Sequence, residues 1–203
     1  MKVSKKVAGV EYAIRDIVSA AREIEKQGKI VDYLNIGDPV QFGFQPPENV
    51  KRALINAVND GNNFYTQSEG LPELLNAIAK KENSKGLSIS SEHVIVTNGV
   101  SEGLDMIISS IVEEGDEVLL PGPYYPPYAS YVRLHGGKPI EFEVDLETSQ
   151  PNIDDLKSKI SSKTVAICLI TPNNPTGLIF NEKSLKEIVD IANEHDLYII
   201  CDE

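Results

Sequence analysis

Several short segments carry residue types that could do chemistry together. In Thr97-Asn98-Gly99-Val100-Ser101-Glu102-Gly103-Leu104 an apolar run ends, a glycine turn follows and a helical pattern begins. Backbone N–H groups without an intrahelical partner collect at such a point, with the positive end of the helix dipole. That suits a phosphate, and Ser101 adds a hydroxyl. An ordinary strand-to-helix turn capped by Ser101 is the competing reading. The G-x-G-x-x-G spacing of a dinucleotide site is absent. Further on, Pro121-Gly122-Pro123-Tyr124-Tyr125-Pro126-Pro127-Tyr128 sets three tyrosines among four prolines. A planar heteroaromatic ring can stack on such a tyrosine, and a turn packed on the core is the alternative. Thr171-Pro172-Asn173-Asn174-Pro175-Thr176-Gly177 follows an apolar run, and an Asn amide held there can donate to a phenolate oxygen. Finally, Asp202 closes the apolar run Tyr198-Ile199-Ile200-Cys201. A carboxylate in that setting needs a cationic partner, and a protonated pyridine nitrogen is one.

These segments need rigid elements to hold them. From residue 71 onward strand and helix patterns alternate: helix 71–82, strand 93–97, helix 101–113, strand 117–120, helix 129–134, strand 139–142, helix 153–160, strand 164–170, helix 184–195 and strand 197–201. Val165-Ala166-Ile167-Cys168-Leu169-Ile170 is apolar at every position, as a strand covered on both faces should be. The alternation predicts an α/β fold, a three-layer α/β/α arrangement with a mostly parallel sheet. The tyrosine loop, the Asn-Asn-Pro-Thr-Gly loop and Asp202 then fall at the C-terminal edge of the strands, where open α/β sheets bind ligands. Before this region, the spacing predicts a helix over 12–27, a short strand over 33–36 and a helix carrying Val50, Leu54 and Val58.

Composition narrows the function classes. The 203 residues carry a formal net charge of −12, with 41% hydrophobic and 25% charged residues. The chain is globular in composition, and its charge argues against nucleic acid and anionic membranes as partners. No apolar run is long enough to cross a bilayer, and no signal peptide is visible, so the cytoplasm is the expected compartment. Cys168 and Cys201 sit in apolar strand patterns and read as buried, reduced thiols. His93, His135 and His195 show no metal spacing with each other or with either cysteine.

In order and spacing, the glycine turn at 97–103, the tyrosine loop at 121–128, Asn-Asn-Pro-Thr-Gly at 173–177 and Asp202-Glu203 resemble the class I/II aminotransferases of fold type I, which use pyridoxal 5′-phosphate. Val10-Glu11-Tyr12-Ala13-Ile14-Arg15, Leu34-Asn35-Ile36-Gly37-Asp38-Pro39 and Tyr65-Thr66-Gln67-Ser68-Glu69-Gly70-Leu71-Pro72 resemble the alanine-aminotransferase-like branch. The resemblance implies roles by position. Val100 and Ser101 bind the cofactor phosphate, with Gly99 permitting close approach. Tyr125 stacks on the ring, Asn174 meets its phenolic oxygen and Asp202 pairs with its nitrogen as the catalytic carboxylate. Tyr65 reaches the phosphate of a neighbouring subunit, which implies a homodimer, and Gly37 lies near the substrate carboxylate.

The same resemblance implies a domain division, with an N-terminal arm and small-domain segment over 1–45 and a cofactor-binding large domain over 46–203. The implied reaction is transamination between an alanine-like amino acid and a 2-oxoglutarate-like oxo acid. The family's Schiff-base lysine, and the arginine that clamps the substrate carboxylate, follow its Asp-Glu pair. Here the sequence ends at Glu203, so an incomplete large domain, inactive by itself, is expected. A pyridoxal-phosphate lyase or synthase on the same fold, and a non-catalytic remnant or split-gene partner, are the alternatives.

Overall fold

The computed structural model of the chain describes residues 4, 6, 7, 13–34 and 37–203, with 13–16 as backbone alone. The chain divides into two compact units. One is residues 21–98; the other is built on 99–203 and takes in the described residues up to Ala20.

The second unit holds a five-stranded sheet. Along the chain come α4 (Val100–Ile111), β1 (Glu117–Gly122), α5 (Pro127–Leu134), β2 (Lys138–Asp145), β3 (Gln150–Pro151), α6 (Ile153–Ser158), β4 (Thr164–Ile170), α7 (Glu182–Glu194) and β5 (Tyr198–Asp202). The strand order is β3-β2-β1-β4-β5. The contacts of β1 with β2, of β1 with β4 and of β4 with β5 are parallel, and short β3 runs antiparallel to β2.

Alternation along the strands divides the apolar residues between two faces. Val118, Leu120, Ala166, Cys168, Ile170 and Ile200 meet Leu104, Ile108 and Val112 at α4 and Tyr128, Ala129 and Val132 on α5. Leu119, Ile167, Leu169, Phe142 and Val144 meet Leu156 on α6 and Ile188, Ile191 and Ala192 on α7. Helices therefore cover both faces, giving the expected three layers. Neighbours Val118 and Leu119 point to opposite faces, yet both are fully buried. Each such side chain contributes about 1.5–3 kcal/mol. Local signals start the helices on the second face: Asn152 Oδ1 accepts from Asp155 N at 3.0 Å, and Asn181 Oδ1 from Ser184 N at 2.8 Å.

Residues 21–98 contain the C-terminal end of α1 (Ala13–Lys26), then α2 (Glu48–Asn59) and α3 (Pro72–Asn83). Here a small cluster of Leu75, Ala79 and Val94 is buried, with Ile78 and Ile89 against it. The stripe Val50, Leu54 and Val58 forms on α2 as its spacing predicts, but α2 buries none of its residues.

Some expectations are corrected. No strand forms over 93–97. His93 ends a 3-10 turn (Ser91–His93), and Val94 is extended (φ −121°, ψ 131°) without entering a ladder. Val96 N donates to Glu69 O at 2.8 Å, a loop rather than a strand. The pattern was strand-like, but a strand exists only where another lies beside it. Tyr33 and Leu34 carry no regular structure. Asn35 and Ile36, and Val10 to Tyr12 at the start of the first helix and its motif, lie outside the described residues. Cys168 is buried as expected, whereas Cys201 is exposed. On edge strand β5, Ile200 faces the α4/α5 layer, while Ile199 and Cys201 face the other way and are left partly or largely open.

Candidate active site

β1, β4 and β5 run parallel, so the tyrosine loop after β1, the Asn-Asn loop after β4 and Asp202 at the end of β5 lie at one edge of the sheet. α4 reaches the same edge by length. A short turn joins its C-terminal end to the start of β1, and twelve residues of helix span about 18 Å, roughly the length of a strand. Gly99 caps α4 with φ 80°, a conformation that favours glycine. A Cβ there would meet nothing within 4 Å, so the approach to the first turn is open. Ser101 is not the cap; it lies inside the first turn, beside exposed Val100.

Hydrogen bonds knit the other segments together. Asp202 is half-buried, and its main-chain oxygen accepts from Thr171 N at 3.0 Å. Its Oδ2 accepts from the Tyr128 hydroxyl. Tyr128 stands in the first turn of α5, and β4 lies between β1 and β5, so the phenol spans β4 to reach the carboxylate. Tyr128 is 2% exposed. Burial, then the Asp202 carboxylate, push its phenol up from the usual range, so it stays a donor. Beneath them burial pushes the Cys168 thiol up to about 12, with the Asp202 charge adding to the effect. Among the described residues no Lys, Arg or His forms an ion pair with Asp202.

The two asparagines of the loop differ. Asn174 is exposed. Asn173 is 7% exposed, and its Nδ2 donates to Pro123 O at 3.1 Å while its Oδ1 accepts from Thr176 Oγ1 at 2.8 Å. Tyr125 is half-buried against the α4/α5 core. Thus Gly99, Val100, Ser101, Tyr125, Asn174 and Asp202 share one sheet edge. Tyr65, fully exposed, and Gly37, beside which a Cβ would meet nothing within 4 Å, belong to the unit of residues 21–98.

Sequence reasoning missed Tyr128 and Asn173. Three tyrosines and two asparagines were visible in the loops, but which member of each set turns inward is a packing outcome. The groove of about 650 Å³ lined by Asp154, Lys157, Glu187, Asp190 and Glu194 lies between α6 and α7, on the other face of the sheet from Tyr128. No group of three or more metal-binding side chains is found among the described residues. No described helix is long and apolar enough to cross a membrane.

The donor set fits pyridoxal phosphate. A helix start with an open glycine cap suits its phosphate, an exposed amide suits its phenolic oxygen, and a half-buried carboxylate without an ion pair among the described residues suits its protonated nitrogen.

Comparison with known proteins agrees. The family "Aminotransferase class I and II" matches residues 29–203. The glutamate-pyruvate aminotransferase AlaA of Haemophilus influenzae is 38% identical over 98% of this chain and 50% of its own length. The alanine aminotransferase of Mycobacterium tuberculosis is 37% identical over 98% of this chain and 47% of its own. Among solved structures, an alanine aminotransferase from Pyrococcus furiosus superposes with a TM-score of 0.96 at 50% identity, covering 100% of this chain and 52% of that one. An aspartate aminotransferase from Thermus thermophilus gives 0.92 at 34% identity, covering 53% of that chain. The chain spans about half the length of the curated relatives it matches. It belongs to the class I and II aminotransferases, a family of pyridoxal-phosphate-dependent enzymes.

Proposed function

We propose that this chain supplies the cofactor-holding part of an amino-acid aminotransferase, one that moves an amino group between an alanine-like amino acid and a 2-oxoglutarate-like oxo acid. The observation that carries the reading is Asp202: a half-buried carboxylate at the sheet edge, held by Tyr128 and Thr171 and without an ion pair among the described residues. Such a carboxylate favours a hydrogen-bonding cation. The names of the relatives support the substrate class.

In this reading each group has a task. The first-turn N–H groups of Val100 and Ser101, with the Ser101 hydroxyl, hold the phosphate, and Gly99 keeps that approach open. Tyr125 offers its ring as a stacking face. Asn174 donates its amide to the phenolic oxygen. Asp202 accepts from the ring N–H and keeps the proton on that nitrogen, while Tyr128 occupies its second oxygen and limits its rotation. Bound pyridoxal phosphate supplies the electron sink that makes an amino acid's Cα proton acidic. The lysine and arginine that complete the chemistry belong, in this reading, to a continuation after Glu203.

Tyr65 reaches the phosphate site of a second copy, Gly37 lies beside the substrate carboxylate, and the working form is a cytoplasmic homodimer. Exposed apolar side chains on α2 and the free state of both cysteines support those last two points. Residues 1–45 and 46–203 are assigned to the small and large domains of the parent.

The test is binding of pyridoxamine phosphate to the 203-residue chain, with Asp202→Ala, Asn174→Ala and Ser101→Ala. Each substitution should weaken it, Asp202→Ala most. Affinity unchanged by all three sinks the site. Borohydride reduction with pyridoxal phosphate should label no single lysine, whereas stoichiometric labelling of one lysine within the chain refutes the assignment of that lysine to a continuation.

A further inference from the structure

The Asn-Asn loop contains one asparagine with an obvious outlet and one without. Asn174 is exposed; Asn173 is buried in a loop, where an unsatisfied amide is costly. Asn173 spends its polar atoms on two jobs. Its Oδ1 accepts from Thr176 N at 3.2 Å and Thr176 Oγ1 at 2.8 Å, closing its own loop. Its main chain does the same, donating to Leu178 O at 2.9 Å and accepting from Gly177 N at 2.7 Å. Its Nδ2, however, leaves the loop and donates to Pro123 O, fifty residues away in sequence, at 3.1 Å. Pro123 stands two residues before Tyr125, so this bond runs from the residue before Asn174 to the start of the tyrosine loop.

We propose that Asn173 is a positioning residue that splints the loop bearing Tyr125 to the loop bearing Asn174, so that the stacking face and the phenolic-oxygen donor keep a fixed spacing. The proposal rests on the cofactor reading above. Asparagine suits the task because it is donor and acceptor at once. Aspartate has the same shape and keeps the acceptors, but when ionised it cannot donate and would face the Pro123 carbonyl oxygen with its own. Asn173→Asp therefore removes the splint while leaving the turn its acceptor. Thr176→Val does the reverse: it removes a donor to Asn173 Oδ1 and leaves the bond to Pro123.

The test uses the 203-residue chain and two measurements. The first, amide hydrogen exchange at neutral pH, needs no cofactor. Asn173→Asp should speed exchange at Tyr124, Tyr125 and Tyr128, with 176–178 and α7 little changed. Thr176→Val should disturb only 176–178. Unchanged exchange at the tyrosine loop in Asn173→Asp overturns the splint. If Asn173→Asp does not fold, the Thr176→Val arm decides, because equal disturbance of both loops there contradicts a separate link to Pro123. The second measurement is pyridoxamine phosphate affinity in a double-mutant cycle with Asn174→Ala. Asn173→Asp should weaken binding by up to about tenfold, the worth of one hydrogen bond. The double variant should bind no more weakly than the weaker single one, since Asn173 acts through Asn174. Losses that multiply overturn the proposal. A wild-type chain that binds no pyridoxamine phosphate defeats the cofactor reading instead, and the exchange result still decides the splint.

Discussion

The two units of the chain solve the same problem differently. The sheet unit closes on itself: Val118, Leu119, Leu120, Phe142 and Ile167 are fully buried, and helices cover both faces of its central strands. Residues 21–98 bury far less. Leu75, Ala79 and Val94 make their buried cluster, while Leu34, Phe42, Phe44, Leu54 and Phe64 stand more than half exposed. A parallel sheet carries its own cover in the crossover helices, because each strand must be followed by one. A helix pair has no such guarantee, and its apolar stripe waits for whatever packs against it. Stability should therefore reside in the sheet unit, and association in residues 21–98.

The largest test of that contrast is Phe142→Ala against Leu54→Ala. Phe142 lies in the α6/α7 core, so its loss should cost about 3–5 kcal/mol in urea unfolding. Leu54 is 67% exposed and should change stability by no more than about 0.5 kcal/mol. Equal losses would show that α2 is packed after all. Next comes Gly70→Ala, inside the weaker unit. Gly70 has φ 125°, and a Cβ there would stand 2.9 Å from Val96 Cγ2. The change should cost about 1–3 kcal/mol. Hydrogen exchange should place the loss at Val94–Val96 and α3, leaving β1 and β4 protected.

A smaller effect appears with pH. The Cys168 thiol is pushed up to about 12 in the fold, against about 8.5 for an ordinary thiol. Its folded pKa is the higher, so its contribution is complete below about pH 8.5 and is lost as pH rises toward 12. Tyr128 acts in the same direction. Cys168→Ala should flatten the alkaline loss of stability measured by unfolding at successive pH values, and a slope equal to wild type rejects it. At pH 8, a thiol reagent should modify exposed Cys201 and leave Cys168 untouched in the folded chain. Smallest in stability, though not in consequence, is Leu54→Lys with Val58→Lys. Unfolding should hardly change, but sedimentation should show less self-association. Unaltered association would move the sticky surface away from α2.

Much of the candidate site was legible because it is written in loop chemistry. Glycine at 99, the Asn-Pro-Thr-Gly run at 174–177 and an aspartate closing an apolar strand are local facts, and strand–helix alternation sends these segments to one edge. The three-layer fold was legible for a similar reason: Val165 to Ile170 is apolar at every position, which suits a strand buried on both faces. What needed tertiary structure was partnership. Residues 93–97 have a strand's pattern but no strand beside them among the described residues, and Cys201 sits in an apolar run at a sheet edge whose outer face is open. Tyr128 rather than a neighbouring tyrosine reaches Asp202, and Asn173 rather than Asn174 turns inward to Pro123. Sequence sets which groups a segment can offer, through side-chain chemistry and backbone propensity. Which of them are used depends on what long-range packing brings within about 3 Å, and no local pattern encodes that distance.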